Sequence, residues 1–167
     1  MSKILSLDQS SRITGWAVFA DGKLEKYGKF NAETVSSNIG ERLHYIRNKI
    51  KQLIEENDIT EVIIEDIQMQ GNVVNNVQTF KTLAEVFGVI CELLVELDIP
   101  HSAVLASSWK STLGIKGRNR AEQKRAAQDW VVATYGVKPT QDECDAVCIG
   151  SHKAKTAKEI VGFDWAD

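Results

Sequence analysis

Three strand patterns precede any helical one, and that order restricts the fold more than anything else in these 167 residues. Lys3–Asp8, Ile13–Phe19 and Lys23–Phe30 are short runs with the apolar and β-branched content of strands. Asp21-Gly22 lies between the second and third runs. That dipeptide is a strong hairpin signal, because a tight turn needs φ > 0 at both positions. Strands joined so closely pair antiparallel, so the chain is expected to open with a meander.

Helical periodicity then takes over. Asn38–Glu56 puts Ile39, Leu43, Ile46, Ile50, Leu53 and Ile54 on one face, with Asn38 and Glu41 as an N-cap pair. Glu61–Asp66 is a strand rich in β-branched residues, and His101–Leu105 is a short strand after Pro100. Arg120–Tyr135 is a helix ended near Gly136, and Ser107 or Ser108 is expected to cap a turn holding Trp109 and Lys110. Thr140 and Glu143 make a capping box, so the last helix starts at Gln141 and runs to about Lys158. With a second helix over Asn75–Leu97, the order is β-β-β-α-β-α-β-α-α. It predicts an α/β domain: a mixed five-stranded sheet, three antiparallel meander strands plus two parallel, flanked by helices. The length fits a single domain, 1–158, with a loosely held tail at 159–167.

The Asn75–Leu97 helix is apolar on more than one face, through Val77, Phe80, Leu83, Phe87, Ile90, Leu94 and Val95. A sheet covers only one side of it. A second subunit is the natural cover for the other, so a homodimer through the 75–97 helix is expected.

Asp8 closes the run Ile4-Leu5-Ser6-Leu7-Asp8, and Glu65 closes Val62-Ile63-Ile64-Glu65. Were the two strands neighbours and parallel, both carboxylates would meet at one sheet edge, where functional groups gather. Asp142 and Asp145, three apart on a helix, point the same way. Each acid alone has a commoner explanation, as a turn residue or a partner of the helix dipole. Together they repel and do not all ionise unaided. Bound Mg²⁺ or Mn²⁺ reverses that repulsion. Two such ions about 3.5–4 Å apart cleave phosphodiesters.

Net charge is −3, yet Lys110, Lys116, Arg118, Arg120, Lys124 and Arg125 stand against Glu122 alone between Trp109 and Gln128. Such a local basic segment is where a phosphate backbone would dock. Cys144, Cys148 and His152 are spaced four apart on the last helix, but no fourth ligand matches a closed zinc site, so buried cysteines are expected. His152 lies two turns beyond Asp145 and is a candidate auxiliary group near the metals or a phosphate. Gln68, Gln70, Asn72, Asn75 and Asn76 form a polar stretch expected to loop over the active edge. Three unpaired cysteines, no signal-peptide layout and no apolar run near about 20 residues point to a cytoplasmic protein with no membrane span.

The stretch Leu7-Asp8-Gln9-Ser10-Ser11-Arg12-Ile13-Thr14-Gly15 resembles the first motif of RuvC-like Holliday junction resolvases of the ribonuclease H-like superfamily. The resemblance continues in Ile63-Ile64-Glu65, in the basic segment and in Asp142-Glu143-Cys144-Asp145-Ala146, covering about residues 3–155. It implies a ribonuclease H-like fold and a homodimer that resolves four-way DNA junctions by paired nicks with Mg²⁺ or Mn²⁺. By that resemblance Asp8, Glu65, Asp142 and Asp145 are the metal ligands, and Lys110 and Lys124 match basic positions near the scissile phosphate. Two departures stand out. Gln9-Ser10 replaces the Pro-Gly of the bacterial enzymes and looks like the phage branch, which would make the location a host cytoplasm. The aromatic wedge after the strand Glu has no counterpart in Asp66-Ile67-Gln68-Met69-Gln70-Gly71-Asn72.

Three other readings compete. A ribonuclease H-like nuclease acting on RNA–DNA hybrid or structured RNA would use the same acids. An actin-like phosphotransferase also carries an Asp-Gln-Ser/Thr turn, but needs two lobes around its nucleotide. A DNA-binding module without activity would gain nothing from four acids facing a polyanion.

Overall fold

Asp21 and Gly22 take φ of 50° and 80°, as a tight hairpin demands. They join β2 (Ile13–Ala20) to β3 (Lys23–Asn31), and β2 also pairs antiparallel with β1 (Lys3–Asp8). The expected meander is present. The structure is a computed structural model that describes the backbone of residues 1–68 and 73–161, and the side chains of all of these except 73–76 and 157–161. After the meander come α1 (Ile39–Glu56), β4 (Glu61–Glu65), α2 (Val73–Glu96), β5 (His101–Val104), α3 (Ala106–Leu113), α4 (Arg120–Tyr135) and α5 (Gln141–Val161). The sheet order is β3-β2-β1-β4-β5, with β1, β4 and β5 mutually parallel. This is the mixed five-stranded sheet the pattern predicts.

Alternation along the strands divides the interior into two cores. Ile4, Ala17, Phe19, Ile63 and Val104 face α3, α4 and α5 and pack with Trp109, Val131, Val147 and Ile149. Leu5, Leu7, Val18, Val62 and Ile64 face α1 and α2 and pack with Ile46, Ile50, Val86, Ile90 and Leu93. The α1 cap forms as expected, with the Asn38 side chain accepting the Glu41 N–H at 3.0 Å. Arg47 on α1 then pairs with Glu92 and Glu96 on α2.

Helix α5 lies unusually close to the sheet. A Cβ on Gly150 would sit 2.1 Å from the Phe19 ring, so only glycine lets the helix settle there. Ser6, fully buried on β1, donates its hydroxyl to the Ala146 carbonyl at 2.7 Å. At the helix start, Glu143 takes the Thr140 N–H at 2.9 Å and the Thr140 hydroxyl at 2.8 Å. That is the reach-back half of the expected capping box.

Two expectations need correction. The segment after β5 is a helix, α3, and not a capped turn. Its N-cap is Leu105 with no side-chain cap, and Ser107 and Ser108 lie inside its first turn. Burial of Trp109 and Leu113, one turn apart on one face, defines this helix, and Gly114 ends it with φ 71°. Helix α5 also extends to Val161, beyond the expected end near Lys158, while residues 162–167 of the expected tail lie outside the described residues. Among the described residues no helix is long and apolar enough to cross a membrane.

Candidate active site

Strands β1 and β4 pair in parallel, and Leu7 opposite Ile64 is their last matched pair. The next residues are Asp8 and Glu65, so both acids leave the sheet at the same edge. Helix α5 crosses that edge by its first turns. It comes so near because Gly15 on β2 has no side chain: a Cβ there would lie 1.9 Å from the Asp142 carbonyl oxygen. Asp8, Glu65, Asp142 and Asp145 therefore line one cleft of about 700 Å³.

Their electrostatics reflect crowding in a poorly hydrated place. Burial pushes the Asp8 carboxyl well above the usual range, and Glu65, Asp145 and Asp142 push it the same way. Burial also raises Glu65, opposed by a hydrogen bond with Asp8 and by the Lys110 charge. Asp145 is pushed up to about 6, by burial first and then by Glu65, although the Gln141 amide donates to it at 3.1 Å. Burial and the neighbouring acids thus both favour the neutral form of Asp8.

The same cleft also has a basic wall. Lys110, Arg120 and Lys124 line the cleft, with Asn119 and Gln123 between them. The Lys110 ammonium lies 5.5 Å from the centre of the Trp109 ring and donates to Gln123 at 3.1 Å. Gln123 in turn donates to the Gly117 carbonyl at 3.2 Å, tying the basic loop to the cleft. Lys116 and Arg118 are not among the lining residues. Arg118 projects into solvent and pairs with Glu122 at 3.5 Å.

The chemistry of this donor set suits a hard cation. All four candidate ligands are carboxylates, and no His or Cys lines the cleft. Among the described residues, no three acidic, His or Cys side chains stand close enough together to hold a metal ion as they are placed. A cation of the Mg²⁺ kind takes only some of its ligands from protein and fills the rest with water and phosphate oxygens. The buried Trp109 indole N–H supports the fit. It is aimed closely enough at Glu65 to lower its pKa, yet lacks a full hydrogen-bond partner. An ionised Glu65 would supply the acceptor.

Other sequence expectations fall elsewhere. His152 does not line the cleft; its Nδ1 pairs with the Thr112 hydroxyl at 2.9 Å, joining α5 to α3. Cys144 and Cys148 are buried in the core, as expected, and all three cysteines are free thiols. Of the polar stretch after Glu65, Gln68 lines the cleft, whereas Gln70, Asn72 and the side chains of Asn75 and Asn76 lie outside the described residues. Three residues at the site escaped sequence reasoning as functional positions: Gln9, Trp109 and Gln123. Only Gln9 carried a signal, as a polar residue directly following a strand-end acid.

Acids at the ends of the two central strands of this sheet, with a helix laid across them, define a ribonuclease H-like fold. A family profile described as crossover junction endodeoxyribonuclease RuvC matches residues 4–151, and the chain belongs to that family. The fold is shared with a Thermus thermophilus RuvC solved in complex with Holliday junction substrate, at 15% identity and a TM-score of 0.71 over 95% of this chain and 96% of that one. It is shared with the yeast mitochondrial Holliday junction resolvase Ydc2, at 12% identity and 0.62 over 97% and 81%. A fowlpox virus resolvase solved with junction DNA aligns at 12% identity and 0.57 over 93% and 98%. No curated protein matches the chain by sequence.

The raised carboxyls make a stability prediction. Asp145 binds its proton more tightly folded, at about 6, than at its ordinary 3.8. Its contribution is therefore full below pH 4 and is lost as pH rises through 6. Metal-free protein should lose stability over that window. Asp145→Asn should be more stable than wild type at pH 8 by on the order of 2 kcal/mol. Urea unfolding in chelator at pH 5 and pH 8 measures this, and equal stability at pH 8 would mean that the cluster is not strained.

Proposed function

We propose that the protein is a homodimeric, divalent-metal-dependent resolvase that cuts four-way DNA junctions by paired nicks. One observation carries the reading: Asp8, Glu65, Asp142 and Asp145 line the same cleft as Lys110, Arg120 and Lys124. A phosphodiester entering there would meet both cations and ligand oxygens. Asp8, Glu65, Asp142 and Asp145 would hold two Mg²⁺ or Mn²⁺ ions, which when bound supply an activated water and stabilise the leaving oxygen. The protein's own part is to orient the strand. Lys110, held by Gln123, offers its ammonium to the scissile phosphate, and Arg120 and Lys124 take neighbouring phosphates without reading bases. Lys116 and Arg118 extend this track outward along the loop. No protein nucleophile is needed.

The second subunit would cover α2. Val77 and Val95 on that helix are 50% and 74% exposed, while Phe80, Leu83 and Phe87 are only partly covered. Two copies joined there would present two clefts, as paired cuts require. The single sheet of the described residues also supports a nuclease over a two-lobed phosphotransferase.

Cleavage of matched substrates with Mg²⁺ tests the reading. A four-way junction should be cut faster than fork, linear duplex or RNA–DNA hybrid. Asp8→Asn should lower that rate at least a thousandfold while leaving junction binding intact. Faster cutting of the hybrid, or joint loss of binding and folding in Asp8→Asn, counts against it. Arg120→Ala with Lys124→Ala should flatten the salt dependence of junction binding by about 0.9 in slope per lost phosphate contact. An unchanged slope takes that wall out of the interface. Light scattering should give twice the 18.6 kDa chain mass, and Val77→Glu with Val95→Glu should return it to monomer. A wild-type monomer at micromolar concentration rules out this dimer.

A further inference from the structure

The end of the β1–β4 ladder is closed by a side chain. Just past β4, the Asp66 N–H donates to the Val104 carbonyl on β5 at 2.8 Å, so that N–H turns toward β5. The N–H and C=O of Glu65 itself then turn toward β1. Leu7 opposite Ile64 is the last pair there, and the rung beyond is made by Gln9. Its Nε2 donates to the Glu65 carbonyl at 2.5 Å, and its Oε1 accepts the Glu65 N–H at 3.2 Å. Both halves of one side-chain amide thus bind both backbone groups of one residue. Gln9 is 7% exposed, and its amide is anchored in the cleft floor where an unpaired polar group would be costly.

We propose that Gln9 is a positioning residue for Glu65: its amide serves as the final rung of the β1–β4 ladder and holds the Glu65 backbone against Asp8. This rests on the reading of Glu65 as a metal ligand. A ligand-bearing backbone freed at a strand end would admit water and let its carboxylate wander. Loss of such outer support weakens metal affinity or activity by about 10–100-fold. Because Gln9 follows Asp8 directly and grips Glu65, one side chain fixes the spacing of two ligands on different strands.

The test uses Gln9→Met, which keeps the length and removes both hydrogen bonds. Glu65 amide exchange in the metal-free protein should quicken at least tenfold while Val62–Ile64 stay protected. Calorimetry should find Mn²⁺ binding weakened about 10–100-fold. Junction binding in chelator should stay within twofold of wild type, and excess Mn²⁺ should recover much of the cleavage rate. Unchanged exchange at Glu65 together with unchanged Mn²⁺ affinity overturns the proposal. So does parallel loss of junction binding with metal affinity, which a merely structural role would produce. Wild-type protein gives a check that does not depend on a folded variant. The Gln9 side-chain amide protons should exchange slowly by nuclear magnetic resonance, and exchange at the solvent rate would refute the clamp. Glu65→Gln separates the two levels. If it still cleaves, the assignment of Glu65 fails; if it is inactive while Gln9→Met behaves as wild type, only the positioning role fails.

Discussion

Repulsion among half-buried carboxylates is the constraint around which the molecule is organised. Asp8, Glu65 and Asp145 sit where burial raises all three pKa values, where Glu65 and Asp145 add to the cost of Asp8, and where Glu65 adds to that of Asp145. A folded chain tolerates this only if stronger interactions hold the supporting elements in place. The two sheet faces supply them, since each carries its own apolar core. The acids crown the most buried part of the sheet, the central strands β1 and β4, where the backbone is least free to relax.

Close backbone approach is the second requirement. Gly15 lets the start of α5 meet the β2 backbone, Gly150 lets the helix settle against the Phe19 ring, and the Ser6 hydroxyl pins the helix to β1. Without these small residues α5 would ride higher, and Asp142 and Asp145 would move off the sheet edge. Gln9 does for β4 what these residues do for α5. Separate devices thus place two of the elements that bring an acid, the glycines and Ser6 for α5 and Gln9 for β4. The basic wall is attached differently, through Gln123 between Lys110 and Gly117, so it belongs to α3, α4 and their loop.

Much of this was readable from local chemistry. Arg120–Tyr135 ends where Gly136 places it, and Asp21-Gly22 turns as its φ preferences require. The four acids were recognisable because two end strands and two share a helical face. Helix α3 was not readable. It spans eight residues and lacks a side-chain cap, and two serines that look like caps lie within its first turn. The contact that His152 makes was hidden for a related reason. Its helical spacing from Asp145 is right, but its partner Thr112 is 40 residues away. Of the basic residues, composition marked the segment but not which members face the cleft.

The sequence by itself determined the strand and helix succession apart from α3, the meander, and which residues had the chemistry to hold a metal or meet a phosphate. Those properties depend on turns, caps and periodicities that act within a few residues. Tertiary structure alone decided that β1 and β4 lie side by side and parallel, that Gln9 reaches Glu65 across 56 residues, and that Trp109 turns its N–H toward that same acid. These contacts exist only after the chain has closed long loops and buried two cores, so no local pattern records them.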